Sequence, residues 1–124
     1  MIIGTGETMY EVIYPWGKVP EGTAFTNVSH AATDSKGRVY AAQRADPPIL
    51  VFDGDGNLLT TWGSDFLVDP HGIYISPTDE IFLIDRDYHE VLKVDTEGRV
   101  QMRLGDRGKP AGQAPFSHPA DIAV

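Results

Sequence analysis

The sequence predicts an all-β fold made of repeated four-stranded antiparallel units, and three observations carry that expectation. No segment of ten or more residues keeps a helical period, whereas short β-type runs recur along the chain. Thirteen glycines and nine prolines punctuate those runs. The runs also repeat: Arg38 to Gly63 aligns without a gap on Glu80 to Gly105, a shift of 42 residues. Under that shift Arg44 falls on Arg86, Leu50 on Leu92, Asp53 on Asp95, Gly56 on Gly98 and Gly63 on Gly105.

Taken in order, the first full unit (28–63) holds the runs HAATDS, RVYAAQ, PILVFD and NLLTTWG. The second (70–105) holds GIYIS, EIFLID, EVLKVD and RVQMRLG. Turn signals such as Asp53-Gly54-Asp55-Gly56 and Thr96-Glu97-Gly98 separate the runs, as hairpins require. A four-stranded unit of about 40–45 residues that repeats is the signature of a β-propeller blade. The innermost strands are expected to be buried on both faces between neighbouring blades. Residues 10–17 (YEVIYPWG) are similar to NLLTTWG and are expected to form the outer strand of a closing blade. Residues 116–124 (FSHPADIAV) are similar to the lead-in FLVDPHGIYI and are expected to open a third blade. The prediction is a propeller portion of about two and a half blades. It is expected to be completed by later blades of a longer protein or by further copies of the chain.

Composition narrows the function. Apolar residues make up 41% and charged residues 23%, the balance of a globular chain. Eighteen acidic against ten basic residues give a net charge of −8, which disfavours nucleic acid and anionic membranes as partners. There is no cysteine, hence no disulfide and no thiolate metal site. The N-terminus has no basic segment followed by a long apolar one, so a cytoplasmic location is expected.

The chemistry-bearing residues cluster at one end of the repeat. His71 stands at the start of an innermost strand, where a side chain can reach the central channel, and Ser29 and Ala120 occupy the equivalent positions. Gly72 is expected to allow a close backbone approach at that rim. Arg44 and Arg86 follow the second strand of each unit, and antiparallel geometry returns them to the same end. One histidine with two arginines at a concave rim suits a metal and an anionic substrate group. The same residues also suit a plain structural reading, a capped Asp-Pro turn and arginines paired with nearby aspartates.

The runs FSHPADIAV and EIFLIDRDYHEVLKVDTEG, with the Trp-Gly strand ends, resemble NHL-type propellers. More narrowly, DPHGIYI, AAQRADPPILVFD and LIDRDYHEVLKVD resemble the peptidyl-α-hydroxyglycine α-amidating lyase family, six-bladed propellers, over about Val28 to Val124. The resemblance implies that a carbinolamide is split into an amide and glyoxylate. His71 matches the first of three zinc-binding histidines, and Arg44 matches an arginine that stabilises charge at the reacting centre. Ala31 and Ile73 match positions whose backbone carbonyls hold a structural calcium. Arg86 is then a candidate for binding substrate, a small molecule or a peptide. The other two histidines and the tyrosine base belong to later blades, and Tyr88 is not at the tyrosine's motif position. The 124 residues alone are therefore expected to lack lyase activity. Two rival functions are a non-catalytic NHL module that binds a protein partner, and a metal-dependent propeller hydrolase of the lactonase or phosphotriesterase kind.

Other signals carry less. His89 and His118 are expected to be turn and loop residues, and His30 lies one place past the channel position. DGDGN lacks the later glycine and glutamate of an EF-hand loop and is expected to be a hairpin turn. GTG near the N-terminus lacks the helix and further glycine of a phosphate loop.

Overall fold

Four hairpins share one piece of turn chemistry, and it organises the molecule. Asp53 Oδ1 accepts from the backbone N–H of Asp55 (3.0 Å) and of Asn57 (2.8 Å). Asp95 Oδ1 does the same with Glu97 (3.0 Å) and Arg99 (2.8 Å), and Asp34 Oδ1 with Lys36 (3.0 Å) and Arg38 (2.9 Å). In the fourth hairpin the Ser76 hydroxyl replaces the carboxylate, accepting from Thr78 and Glu80. The residue three places on has positive φ in every case: Gly37, Gly56, Asp79 and Gly98. A short oxygen-bearing side chain that bonds its own turn, followed by a left-handed residue, reverses a strand at little cost.

The computed structural model describes residues 1–110 and 116–124. The described residues form ten strands and no helix. An N-terminal hairpin joins β1 (Ile2–Thr5) to β2 (Thr8–Glu11), pairing Ile2 with Glu11 and Ile3 with Tyr10. The first four-stranded sheet runs β3 (Val28–Thr33), β4 (Val39–Gln43), β5 (Ile49–Phe52), β6 (Leu58–Trp62) in spatial order. The second runs β7 (Pro70–Ile75), β8 (Ile81–Asp85), β9 (Glu90–Val94), β10 (Val100–Leu104). Every neighbouring pair is antiparallel, so the architecture is all-β and that of a partial propeller. The innermost strands of the two sheets, β3 and β7, lie beside each other.

The core follows from strand alternation. Tyr40, Ala42, Ile49 and Val51 of the first sheet pack on Ile73, Ile81, Leu83, Leu92 and Val94 of the second. The opposite face of the first sheet, Ala41, Leu50 and Phe52, is covered by Trp16, Val19 and Phe25. The N-terminal segment thus lies where a preceding blade would pack. Trp16 sits against Gly56 as Trp62 sits against Gly98: an added β-carbon would lie 3.2 Å from Trp16 Cε2 and 2.5 Å from Trp62 Cδ2. The expected full burial of the innermost strands does not hold. The middle strands β4, β5, β8 and β9 are the buried ones, whereas β3 is largely exposed. An edge strand has a neighbour on one side only, so the middle of each sheet carries the core.

One stitch joins the inner hairpins of the two sheets: Ser35 donates its N–H to Asp79 Oδ1 (2.8 Å) and its hydroxyl to Asp79 Oδ2 (2.6 Å).

Candidate functional site

The lead-in to each blade is tied down by the last residue of its second strand. Gln43 Oε1 accepts from Thr26 N–H (2.9 Å), and its amide donates to the carbonyls of Ala24 and Pro47. In the next blade, 42 residues on, Asp85 Oδ2 accepts from Val68 N–H (2.7 Å). Both side chains are fully buried. The chain then enters its inner strand through a register shift, between Val28 and His30 in β3 and between Pro70 and Gly72 in β7. The residue each shift passes over is Ser29 in one blade and His71 in the other. Such a bulge turns its extra side chain out of the ladder.

Both bulge residues bond across to the next segment of chain. The Ser29 hydroxyl donates to the Pro70 carbonyl (2.6 Å), and His71 Nδ1 lies 3.0 Å from the Ala120 carbonyl. A carbonyl only accepts, so Nδ1 carries the proton and Nε2 is the lone-pair nitrogen of the neutral ring. The close approach expected at Gly72 is present: an added β-carbon would lie 2.9 Å from Ile84 Cδ1 and 3.3 Å from the Ala120 carbonyl oxygen.

Arg44 and His71 line one cleft of about 530 Å3, together with Asn27, Val28 and Ser29. Arg86 is not part of its wall and reaches it through Asp69. That buried carboxylate stands 2.8 Å from Arg44 Nε by Oδ1 and 3.5 Å from Arg86 Nη1 by Oδ2. Arg44 Nε lies close to Asp69 Oδ1 but is misaligned for a hydrogen bond, and that oxygen has no donor among the described residues. The plain reading of the sequence paired these arginines with nearby aspartates, and the structure names Asp69 as the carboxylate beside both. Ala31 and Ile73 occupy the same register position of β3 and β7, paired with Ala41 and Leu83.

The remaining histidines lie elsewhere. His30 is exposed on β3, whereas His89 is buried and meets the His118 ring edge-on at 4.3 Å. Tyr88 lies beneath the Arg107 guanidinium, 3.9 Å from ring centre to Cζ. A second cleft of about 620 Å3, between the N-terminal loop and β6, offers Asp46, Thr60 and Ser64 but no histidine or arginine. Among the described residues no three His, Asp or Glu side chains gather as a complete metal site.

No family model matches the chain. The chain is 27% identical over 112 residues to peptidyl-alpha-hydroxyglycine alpha-amidating lyase 1 of Drosophila melanogaster. The alignment takes in 88% of this chain and 19% of that protein, so the chain spans about a fifth of its relative's length. A distant lyase-named relative together with two antiparallel four-stranded sheets fits a propeller-like family.

Proposed function

We propose that this chain is one part of a zinc-dependent amidating-lyase-like propeller, which as a complete protein cleaves a carbinolamide into an amide and glyoxylate. The observation that carries the reading is the arrangement at His71. A bulge turns the ring out of the sheet, the Ala120 carbonyl fixes its tautomer, and the ring shares a cleft with Arg44. A ligating imidazole whose other nitrogen donates to a backbone carbonyl is the usual form of a zinc histidine. His71 Nε2 would be one ligand of three, the others coming from blades outside this chain. Zinc at such a site supplies Lewis acidity toward the hydroxyl oxygen of the substrate.

This chain's own residues supply charge and position. Arg44 offers a guanidinium to charge at the reacting centre, and the Asp69 carboxylate stands beside it between the two blades. Arg86, on the other side of that aspartate, would bind the substrate's anionic end. The carbonyls of Ala31 and Ile73, at one level on adjacent inner strands, would hold calcium and brace the start of the ring. Residues 10–17 would complete the outer edge of the closing blade, for which the Trp16–Gly56 contact is the support. The partners are then the remaining blades, or further copies, and a small-molecule or peptide substrate. A cytoplasmic setting, with no nucleic acid or membrane bound, completes the proposal.

Native mass spectrometry of the chain with zinc and calcium, alone and with its remaining blades, tests the reading. A closed ring that binds zinc, loses it on His71→Ala, and releases glyoxylate from an α-hydroxyglycine-extended peptide is the expected result. A closed ring without metal dependence would identify a binding module instead. Calcium-dependent lactone hydrolysis that survives His71→Ala would identify a hydrolase.

A further inference from the structure

The segment Phe116–Val124 is held against the second blade by three side chains, and two of them are histidines with opposite hydrogen-bond roles. His71 Nδ1 donates to Ala120, and the Tyr74 hydroxyl donates to the Val124 carbonyl (3.3 Å). His89 is the reverse: the His118 backbone N–H donates to His89 Nδ1 at 3.0 Å. An amide nitrogen only donates, so this contact exists only while His89 Nδ1 is unprotonated. His89 is 6% exposed and held at φ +57° in the turn between β8 and β9.

We propose that His89 is a proton-sensitive latch: neutral, it docks Phe116–Val124 on the second blade, and protonated, it releases that segment. From its own turn, Asp85, Arg86, Asp87, Tyr88 and Glu90 are the charged or titratable neighbours, and the fully buried Asp85 accepts from the Tyr88 N–H (3.1 Å). Arg86 and Asp87 face each other at 3.8 Å. Glu90 is fully buried, and its Oε1 is taken by Arg103 of β10 (2.6 Å) and Arg107 of the following loop (2.9 Å). Its Oε2 receives no hydrogen bond, from the His89 ring or elsewhere among the described residues. The same loop carries Asp106 and Lys109. From the docked segment, the titratable groups are the His118 ring at 4.3 Å and Asp121.

The sign follows from the bond. Docking requires the deprotonated ring, so it is present at high pH and lost as pH falls. Release would also remove the Ala120 carbonyl that holds His71 in the tautomer with Nε2 unprotonated. That last consequence, though not the latch, rests on the zinc reading above.

Hydrogen exchange of the His118 amide, followed by NMR in the full chain and corrected for intrinsic rate, tests the latch without any metal. Imidazoles change charge between pH 8 and pH 5. Protection is expected to drop at least about tenfold over that interval, while Leu83 and Leu92 amides stay protected. His89→Asn keeps an acceptor near the position of Nδ1 and tolerates positive φ. This variant is expected to hold the segment at both pH values. Equal wild-type protection at pH 5 and pH 8 would overturn the latch. A pH-dependent loss that persists in His89→Asn would also overturn it, by placing the titration on another group such as His118.

Discussion

Asp34 shows how much one buried carboxylate can organise. Its Oδ1 takes two backbone N–H groups, and its Oδ2 takes the Arg38 guanidinium (2.6 Å) and the Tyr40 hydroxyl (3.2 Å). Burial alone would raise its pKa, but the hydrogen bonds and charge of Arg38 hold it below the ordinary aspartate value. A lowered folded pKa means stability present above the unfolded value and lost as pH falls through the folded one. Asp34→Ala strands the Tyr40 hydroxyl and Arg38, and is expected to cost about 3 kcal/mol in denaturant unfolding. Tyr40 titrates in the other direction: burial first, then the Asp34 carboxylate, push its pKa up to about 12. Its contribution is complete below the unfolded value near ~10 and lost as pH rises through about 12. Ultraviolet absorbance is expected to show one of the five tyrosines ionising last, in step with alkaline unfolding.

At the scale of elements, the hairpin turns set register, and they were legible because their chemistry is local. Each Asp-x-x-Gly turn names its own boundary, and the β-branched runs between turns placed all eight blade strands to within two residues of their observed ends. Gly98 has positive φ and the Trp62 ring at its α-carbon, so Gly98→Ala is expected to cost about 2 kcal/mol by thermal unfolding. What the sequence left hidden depends on two blades meeting. The bulge that turns Ser29 and His71 outward follows from how the anchored lead-in joins its ladder, not from residue type. The Arg44–Asp69–Arg86 cluster joins residues of two blades that local pattern treats separately. The N-terminal hairpin was missed for a related reason. Tyr10 and Glu11 pair with Ile3 and Ile2, the strand nearest along the chain, whereas their resemblance to β6 concerns position in a blade.

Across the whole molecule, stability rests on the apolar layer between the two sheets, and Leu83 lies within it, fully buried. Leu83→Ala is expected to cost about 3 kcal/mol and to loosen both sheets together, read as a single cooperative loss of protection. The Ser35–Asp79 stitch gives that pair of sheets a further bond which the repeat cannot renew. Pro77 stands 42 residues after Ser35, and it has neither a hydroxyl nor an N–H to donate. The seam between the two panels is therefore sewn with a thread that the second panel cannot pass on from the same place. Cutting part of it with Ser35→Ala is expected to let the panels separate sooner on heating, read as a lower unfolding temperature. An unchanged unfolding temperature would show that the stitch bears no strain.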